Sequence, residues 1–397
     1  MSAQQGNGPG RTLLRARGDA EPRVTTMELF FDLVYVFAVT QLSHLLLEHL
    51  DVRGVVDTFL LLFAVWWAWM YTSWATNWFD PNRRPVRLML VGVMLASLIM
   101  SAMLPEAFGE RGLAFAAAYV VIQVGRTIWI VAALRGERVL RRNFQRILAW
   151  CVASGVLWIA GGLGSAPARE LLWFAAVVVD YTAPAAGFRT PGLGRSQTGD
   201  WDITGGHLAE RCQLFVIIAL GESVLVTGAV FSRHPFTVGT VAAFVVAFLG
   251  SVALWWIYFD RHAEDSSNAI TRSRDPGRLG RSAFTYSHLP IVAGIIVAAV
   301  GDELTIAHPG GDAGAAVTAA VLGGPALFLA GHALFKRAVF GVLSTSRLVA
   351  IGALVVMTPL GLVAPPLLLS VLATAVVAGV AVWEVVVGPP PGFAEPA

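Results

Sequence analysis

The chain of 397 residues is a succession of runs of about 20 mostly apolar residues, each followed by a short polar connection, and that rhythm constrains it more than any motif. Such runs have the length of a helix that crosses a bilayer. With 56% hydrophobic residues and only 14% charged, against about a quarter charged in soluble chains, a water-soluble globule is excluded. So are a collagen-like or disordered chain and a large catalytic domain outside the membrane. The expectation is an all-α polytopic membrane protein in which each span satisfies its own backbone hydrogen bonds.

Runs bounded by charges or by Gly and Pro place twelve spans near 28–48, 55–78, 86–104, 112–134, 144–164, 168–188, 208–231, 237–259, 283–304, 313–335, 346–364 and 366–387. The distribution of basic residues supports this count. Of the 28 Lys and Arg, 22 fall in the amino-terminal stretch or in connections after even-numbered spans, among them Arg15, Arg146 and Arg347. Arg53, Arg111, Arg169 and Arg233 fall on the other side. By the positive-inside rule both termini face the cytoplasm. The division is then a disordered cytoplasmic tail over 1–24, with no secretory signal, a first six-helix half over 25–195, a second over 205–388, and a carboxyl-terminal tail over 389–397.

Laying the chain on itself at an offset of 182 sets Glu28 on Glu210, and Trp78 to Asp80 fall near Tyr258 to Asp260. Because six spans per half is an even number, the halves are expected to be two parallel six-helix repeats, an arrangement some carriers use.

Ionisable side chains inside spans are costly and point to a polar partner or a functional site. The first span carries Glu28, Asp32, Tyr35 and Ser43 within roughly 80° of one another on one helical face. The seventh carries His207, Glu210 and Arg211 near its start and Glu222 deeper. Arg126 lies deep in the fourth, where it could pair with Asp32, Glu222 or Asp180, or hold a substrate carboxylate or phosphate. The candidate proton- or substrate-binding set is therefore Glu28, Asp32, Arg126, His207, Glu210, Arg211 and Glu222. The same charges could instead form a structural ion-pair network.

Other features point less sharply. Trp67, Tyr71, Trp74 and Trp78 make an aromatic stripe that reads as packing or an interfacial belt more readily than as a ligand cavity. Pro184, Pro290, Pro325 and Pro359 interrupt or edge the apolar runs and could expose carbonyls. Asp260, His262, Glu264 and Asp265, and separately Asp302, Glu303 and His308, lack the spacing of a metal site and read as solvated acidic loops or helix caps. Cys151 and Cys212 have neither CxxC spacing nor a His partner. No phosphate loop or nucleophile elbow occurs, so no cofactor and no metal are expected, and nothing supports a nucleic-acid partner.

ELFFDLVYVFAVTQLSH (Glu28 to His44) and HLAERCQLFVIIALGESVLVTG (His207 to Gly228) resemble the bacterial low temperature requirement protein A (LtrA) family, as do WWAW, YFDRHAE and SHLPIVAGIIVAAVGDE (Ser287 to Glu303). The resemblance implies a multi-pass inner-membrane protein associated by name with growth in the cold, with family motif positions at Glu28, Phe31, Asp32, His207, Glu210, Arg211, Gly221 and Glu222. It implies no particular reaction or substrate.

The leading expectation is a secondary carrier of a small molecule, with Asp32 and Glu222 as proton or substrate ligands and Arg126 as an anion clamp. Its partners are then the lipid bilayer and a small-molecule or lipid substrate. The alternatives are a membrane-embedded enzyme acting on a lipid or isoprenoid, and a structural or regulatory membrane protein.

Overall fold

The computed structural model describes residues 13–15, 23–201, 203–260 and 262–387. Most of the two terminal tails expected from the sequence lies outside the described residues, as do Arg261 and the side chains of His262 and Glu264. Among the described residues there is no strand; Leu14 with Phe79 and Thr190 with Gly194 form isolated bridges.

The helices are α1 (Thr26–Glu48), α2 (Val52–Trp78), α3 (Arg84–Met103), α4 (Gly112–Val120), α5 (Arg126–Ala133), α6 (Arg138–Leu163), α7 (Ala168–Thr182), α8 (Gly205–Arg233), α9 (Val238–Phe259), α10 (His262–Thr271), α11 (Pro276–Leu279), α12 (His288–Ala307), α13 (Gly314–Phe340), α14 (Thr345–Val356) and α15 (Pro366–Val387). One π-helical turn, Val121–Gly125, joins α4 to α5, and another, Gly280–Tyr286, precedes α12. Local chemistry sets the starts. Thr25 caps α1 in a capping box with Glu28, and Asp51 accepts from the Gly54 amide to cap α2 at 2.7 Å. Pro85 occupies the first turn of α3, where its missing N–H costs nothing. Gly341, with φ of 74°, ends α13 in the left-handed conformation that glycine adopts freely.

Eleven helical stretches among the described residues are long and apolar enough to cross a membrane. They coincide with eleven of the twelve expected spans to within a few residues, apart from earlier starts at the fifth and ninth. The exception is the sixth. Expected over 168–188, it ends as a helix at Thr182 after 15 residues, because Pro184 follows and the chain turns through Gly187 and Phe188, both at positive φ. Polarity is inverted relative to a soluble protein. On α1, Phe30 and Leu33 are 59% and 58% exposed while Glu28 and Asp32 are fully enclosed. A helix that hides carboxylates and presents phenylalanine and leucine outward is facing lipid, which makes this an all-α polytopic membrane protein.

The chain divides into two compact units. The first holds residues 1–214 and 267–281, that is α1 to α7, the opening turns of α8, the end of α10 and α11. Its packing centres on aromatic side chains: Trp67 stacks on Tyr181 with ring centres 4.1 Å apart, Trp78 packs on Phe144 and Trp201, and Trp158 on Trp173. The Trp67 to Trp78 stripe is thus packed against other rings.

The second unit holds residues 215–266 and 282–397. Its closest helix pair is α12 with α13, where glycines alternate across the contact. A Cβ on Gly294 would lie 2.4 Å from the Phe328 nitrogen, and one on Gly324 would lie 2.4 Å from the Ala298 nitrogen. Gly301 and Gly331 face Val321 and Ile291 in the same way. With no side chain between them the two backbones touch, the small-residue packing that holds helices together in lipid.

A buried charge cluster and an arginine relay

Glu28 is the hub of the first unit. It sits at the third position of α1, where the capping box draws Thr25 N–H and Thr25 Oγ1–H onto its Oε2, each at 2.9 Å. Arg211 Nη1 and His207 Nε2, from the first turns of α8, reach its Oε1 at 3.2 and 2.9 Å. Arg15 Nη2 completes the shell at 3.0 and 2.9 Å to the two oxygens. The His207 tautomer follows from this network. Nε2–H donates to Glu28, which leaves Nδ1 to accept from Asn77 Nδ2 at 3.4 Å. A carboxylate so surrounded is fixed in place and fixed in charge.

Asp32, one turn further along α1, is different. Its Oδ1 accepts from Arg211 Nη2 at 2.6 Å and from Trp69 Nε1 at 2.7 Å, while Oδ2 is buried without a partner among the described residues. Arg211 Nε is in the same condition. The Arg211 guanidinium lies over the rings of Phe31 and Trp69 at 5.6 Å, so aromatic faces replace part of the water it has lost. Each carboxylate thus has a cationic partner, and the two atoms left over are one acceptor and one donor.

Helix α2 builds the wall behind the cluster. Trp69, Thr72 and Thr76 recur at helical spacing on one face. Trp69 donates to Asp32, Thr76 Oγ1 accepts from Arg211 at 3.3 Å, and Thr72 Oγ1 accepts from Arg126 Nη1 at 2.9 Å. Asn77 extends the same helix to the α8 entry, donating to the Thr204 carbonyl and accepting from the Thr204 amide, both at 2.8 Å.

Arg126 does not join the carboxylates. It opens α5 directly after the π-helical turn, is 3% exposed, and is held by neutral groups: Thr72, Gln123 Oε1 at 2.6 Å, and the Ala68 carbonyl at the 3.5 Å limit. The Tyr71 ring lies 5.6 Å from its guanidinium carbon. Direct pairing with Asp32, one of the expected possibilities, is pre-empted by Arg211. Pairing with Asp180 is replaced by a relay, in which Gln123 Nε2 donates to Tyr119 Oη at 3.1 Å and Tyr119 Oη–H donates to Asp180 Oδ2 at 2.8 Å. Trp158 Nε1 adds a bond to the same oxygen at 3.3 Å.

Of the seven sequence candidates, the structure thus brings Glu28, Asp32, His207 and Arg211 into one cluster. Glu210 stands beside it, half-buried, accepting from the Val24 amide at 3.0 Å. Arg126 heads the separate relay, and Glu222 is buried on the part of α8 that belongs to the second unit. Two participants escape sequence reasoning. Arg15 reads as one more basic residue of the tail, yet residues 13–15 dock on the end of α2, with Arg15 N–H to the Trp78 carbonyl at 2.8 Å and Arg15 Nε to the Thr76 carbonyl at 2.7 Å. Arg347, assigned to a cytoplasmic connection, is fully buried in the second unit with Glu384 and His332.

Among the described residues no group of three or more His, Cys, Asp or Glu side chains is arranged to hold a metal ion. Cys151 and Cys212 are buried free thiols.

The family model for the bacterial low temperature requirement A protein (LtrA) matches residues 23–382. The chain is also similar to a Rhizobium meliloti (strain 1021) protein described as "Uncharacterized protein RA0937", with 39% identity over 378 residues that cover 94% of this chain and 91% of that one. No solved structure matches the chain.

Proposed function

The chain belongs to the bacterial low temperature requirement A family, and within that family we propose that it acts in the bacterial cytoplasmic membrane as a secondary carrier of a small organic anion, with Arg126 as the anion-binding group. The observation that carries the reading is Arg126 itself. A guanidinium enclosed within a span is expensive, and among the described residues its charge is met by neutral groups, a hydroxyl, an amide oxygen, a carbonyl and the face of the Tyr71 ring. A carboxylate or phosphate arriving at this position would supply the missing negative charge through a bidentate fork. The π-helical turn before Arg126 adds weight, since such turns cluster at functional sites. The relay to Asp180 ties that site to a second buried charge, and Asp32 with its open Oδ2 supplies a third. Glu222 keeps the role of a proton ligand on the ground of its burial within a span.

The test is flux into proteoliposomes from a panel of labelled mono- and dicarboxylates and phosphate esters. Uptake of one class, abolished by Arg126→Gln and partly retained by Arg126→Lys, is the expected result. No uptake across the panel, together with no anion that raises the melting temperature of the purified protein, would remove the reading.

A scaffold role is the second reading, and Glu28 favours it: a carboxylate with six hydrogen bonds to three segments of chain is built to hold α1 against α8 rather than to exchange protons.

A further inference from the structure

The second unit contains a cavity of about 30 Å³ walled by α8, α9, α12, α13 and α15. Asp302, Ser223, Ser251, Ser370 and Thr374 all line it. None of these five side chains makes a hydrogen bond or ion pair among the described residues. Their neighbours behave otherwise. Thr227 on α8 and Thr305 on α12 turn their hydroxyls back to the carbonyl four residues earlier, at 2.6 and 2.7 Å, the ordinary solution for a hydroxyl in a spanning helix. Around the cavity that solution is not taken, and the oxygens stay uncommitted.

The backbone contributes as well. Pro325 lies inside α13 and has no N–H to give the Val321 carbonyl, the partner that the helical pattern assigns it. Val321 and Pro325 both line the cavity. Freed carbonyls of this kind are tolerated in spans where they border a polar site, and in carriers they coordinate cations. Gly250 keeps the space open, because a Cβ there would come within 3.3 Å of Thr374 Oγ1.

The wall therefore offers one carboxylate and several neutral oxygens, with no nitrogen or sulfur ligand singled out. A lone carboxylate inside a span is costly unless a cation or proton accompanies it. A single negative charge with hydroxyl and carbonyl oxygens suits a hard cation of charge one, whereas divalent sites gather more carboxylates. The volume of about 30 Å³ has room for one small ion with one or two waters beside it, since a water needs about 10–15 Å³. From these observations we infer that the cavity at Asp302 is a binding site for one sodium ion. The inference uses none of the residues of the anion site, and where both hold, sodium is the coupling ion of the carrier.

The experiment is sodium binding to the purified full-length chain in detergent, followed by radioactive sodium in a scintillation-proximity assay against a choline background. The wild type is expected to bind one ion per chain saturably. Asp302→Asn, which removes the one charge that the described residues place on the wall, is expected to weaken binding by about 100-fold or more. Ser370→Ala is expected to weaken it by about tenfold, as for loss of one neutral ligand. Gly250→Ala, which leaves every ligand in place but fills the space, is expected to abolish it, and this keeps the test valid if Asp302→Asn fails to fold. Arg126→Gln is expected to bind sodium like the wild type, and saturable sodium binding by a wild type that carries no anion would count against the carrier reading and support this one. An absence of saturable sodium binding by the wild type, or binding unchanged in Asp302→Asn and Gly250→Ala, overturns the inference. So does competition by pH alone, with protons but no sodium taken up, which would make Asp302 a proton site.

Discussion

Arg211 Nη2 meets Asp32 Oδ1 at 2.6 Å, with both side chains wholly shielded from solvent and 179 positions apart in the sequence. The pair ties α1 to the start of α8 within the first unit, and Trp69 and Thr76 close around it from α2. Breaking one half of such a pair leaves a charge with no water and no partner. Asp32→Asn or Arg211→Met alone should lower stability by about 3–5 kcal/mol. The double substitution should cost clearly less than the sum, since two neutral side chains no longer strand each other. Thermal unfolding of the four proteins in one detergent checks this, and strictly additive losses would show that the contact carries no coupling.

Arg347 makes the corresponding pair in the second unit. Its guanidinium bonds both oxygens of Glu384, the second at 3.1 Å, while His332 Nδ1 accepts from its Nε at 3.1 Å and Lys336 Nζ reaches Glu384 at 3.2 Å. Arg337, close by, is exposed. Glu384→Gln should therefore destabilise by about 3 kcal/mol or more, whereas Arg337→Gln should stay within about 0.5 kcal/mol of wild type. Comparable effects of the two substitutions would mean that Arg347 is not buried as described.

The contrast between these arginines shows what a one-dimensional reading can reach. Helix positions were legible because an apolar run of spanning length has few other uses. The enclosed face of α1 was legible because four polar residues shared one helical side. Which residue meets which was not legible. Arg15 and Arg347 carry the same local signal as any basic residue flanking a span, and only the docking of residues 13–15 on α2 and of α14 on α15 separates them from it. Arg126 had three carboxylates in reach of a guess, and its neutral partners were set by the π-helical turn, which periodicity does not announce. Asp302 read as a loop or cap residue because the ninth span was ended near 304, whereas α12 continues to Ala307 and turns Asp302 to the cavity wall.

Adjacent glycines in α13 should respond in opposite senses. A methyl group on Gly324 would meet the Ala298 backbone at 2.4 and 2.7 Å, and backbone cannot rotate away. A methyl group on Gly323 would meet nothing within 4 Å. Gly324→Ala should cost about 1–3 kcal/mol through overpacking, while Gly323→Ala should be neutral or stabilising by about 0.5–1 kcal/mol, the ordinary preference for alanine within a helix. Melting temperatures of the two variants, measured side by side, suffice, and a destabilised Gly323→Ala would refute the close contact as the cause.

The last prediction concerns α7, whose 15 residues span about 22 Å at 1.5 Å per residue, short of a hydrocarbon core of about 30 Å. The eleven longer stretches alone would put the amino and carboxyl ends of the membrane domain on opposite sides. If α7 also crosses, with the turn through Ala183–Phe188 completing the passage, the crossings number twelve and the two ends share a side. The basic residues favour the second arrangement, because Arg189 and Arg195 follow α7, Arg135 precedes α6 and Arg138, Arg141 and Arg142 lie in its opening turns, and all six belong on the cytoplasmic face only when α6 and α7 form a complete return. Single cysteines at positions 20, 191 and 390, introduced after removal of Cys151 and Cys212, should all resist an impermeant maleimide in intact cells and react after lysis. Labelling of position 390 but not position 20 in intact cells would show that α7 does not cross, and the bilayer would then have to be satisfied by eleven helices.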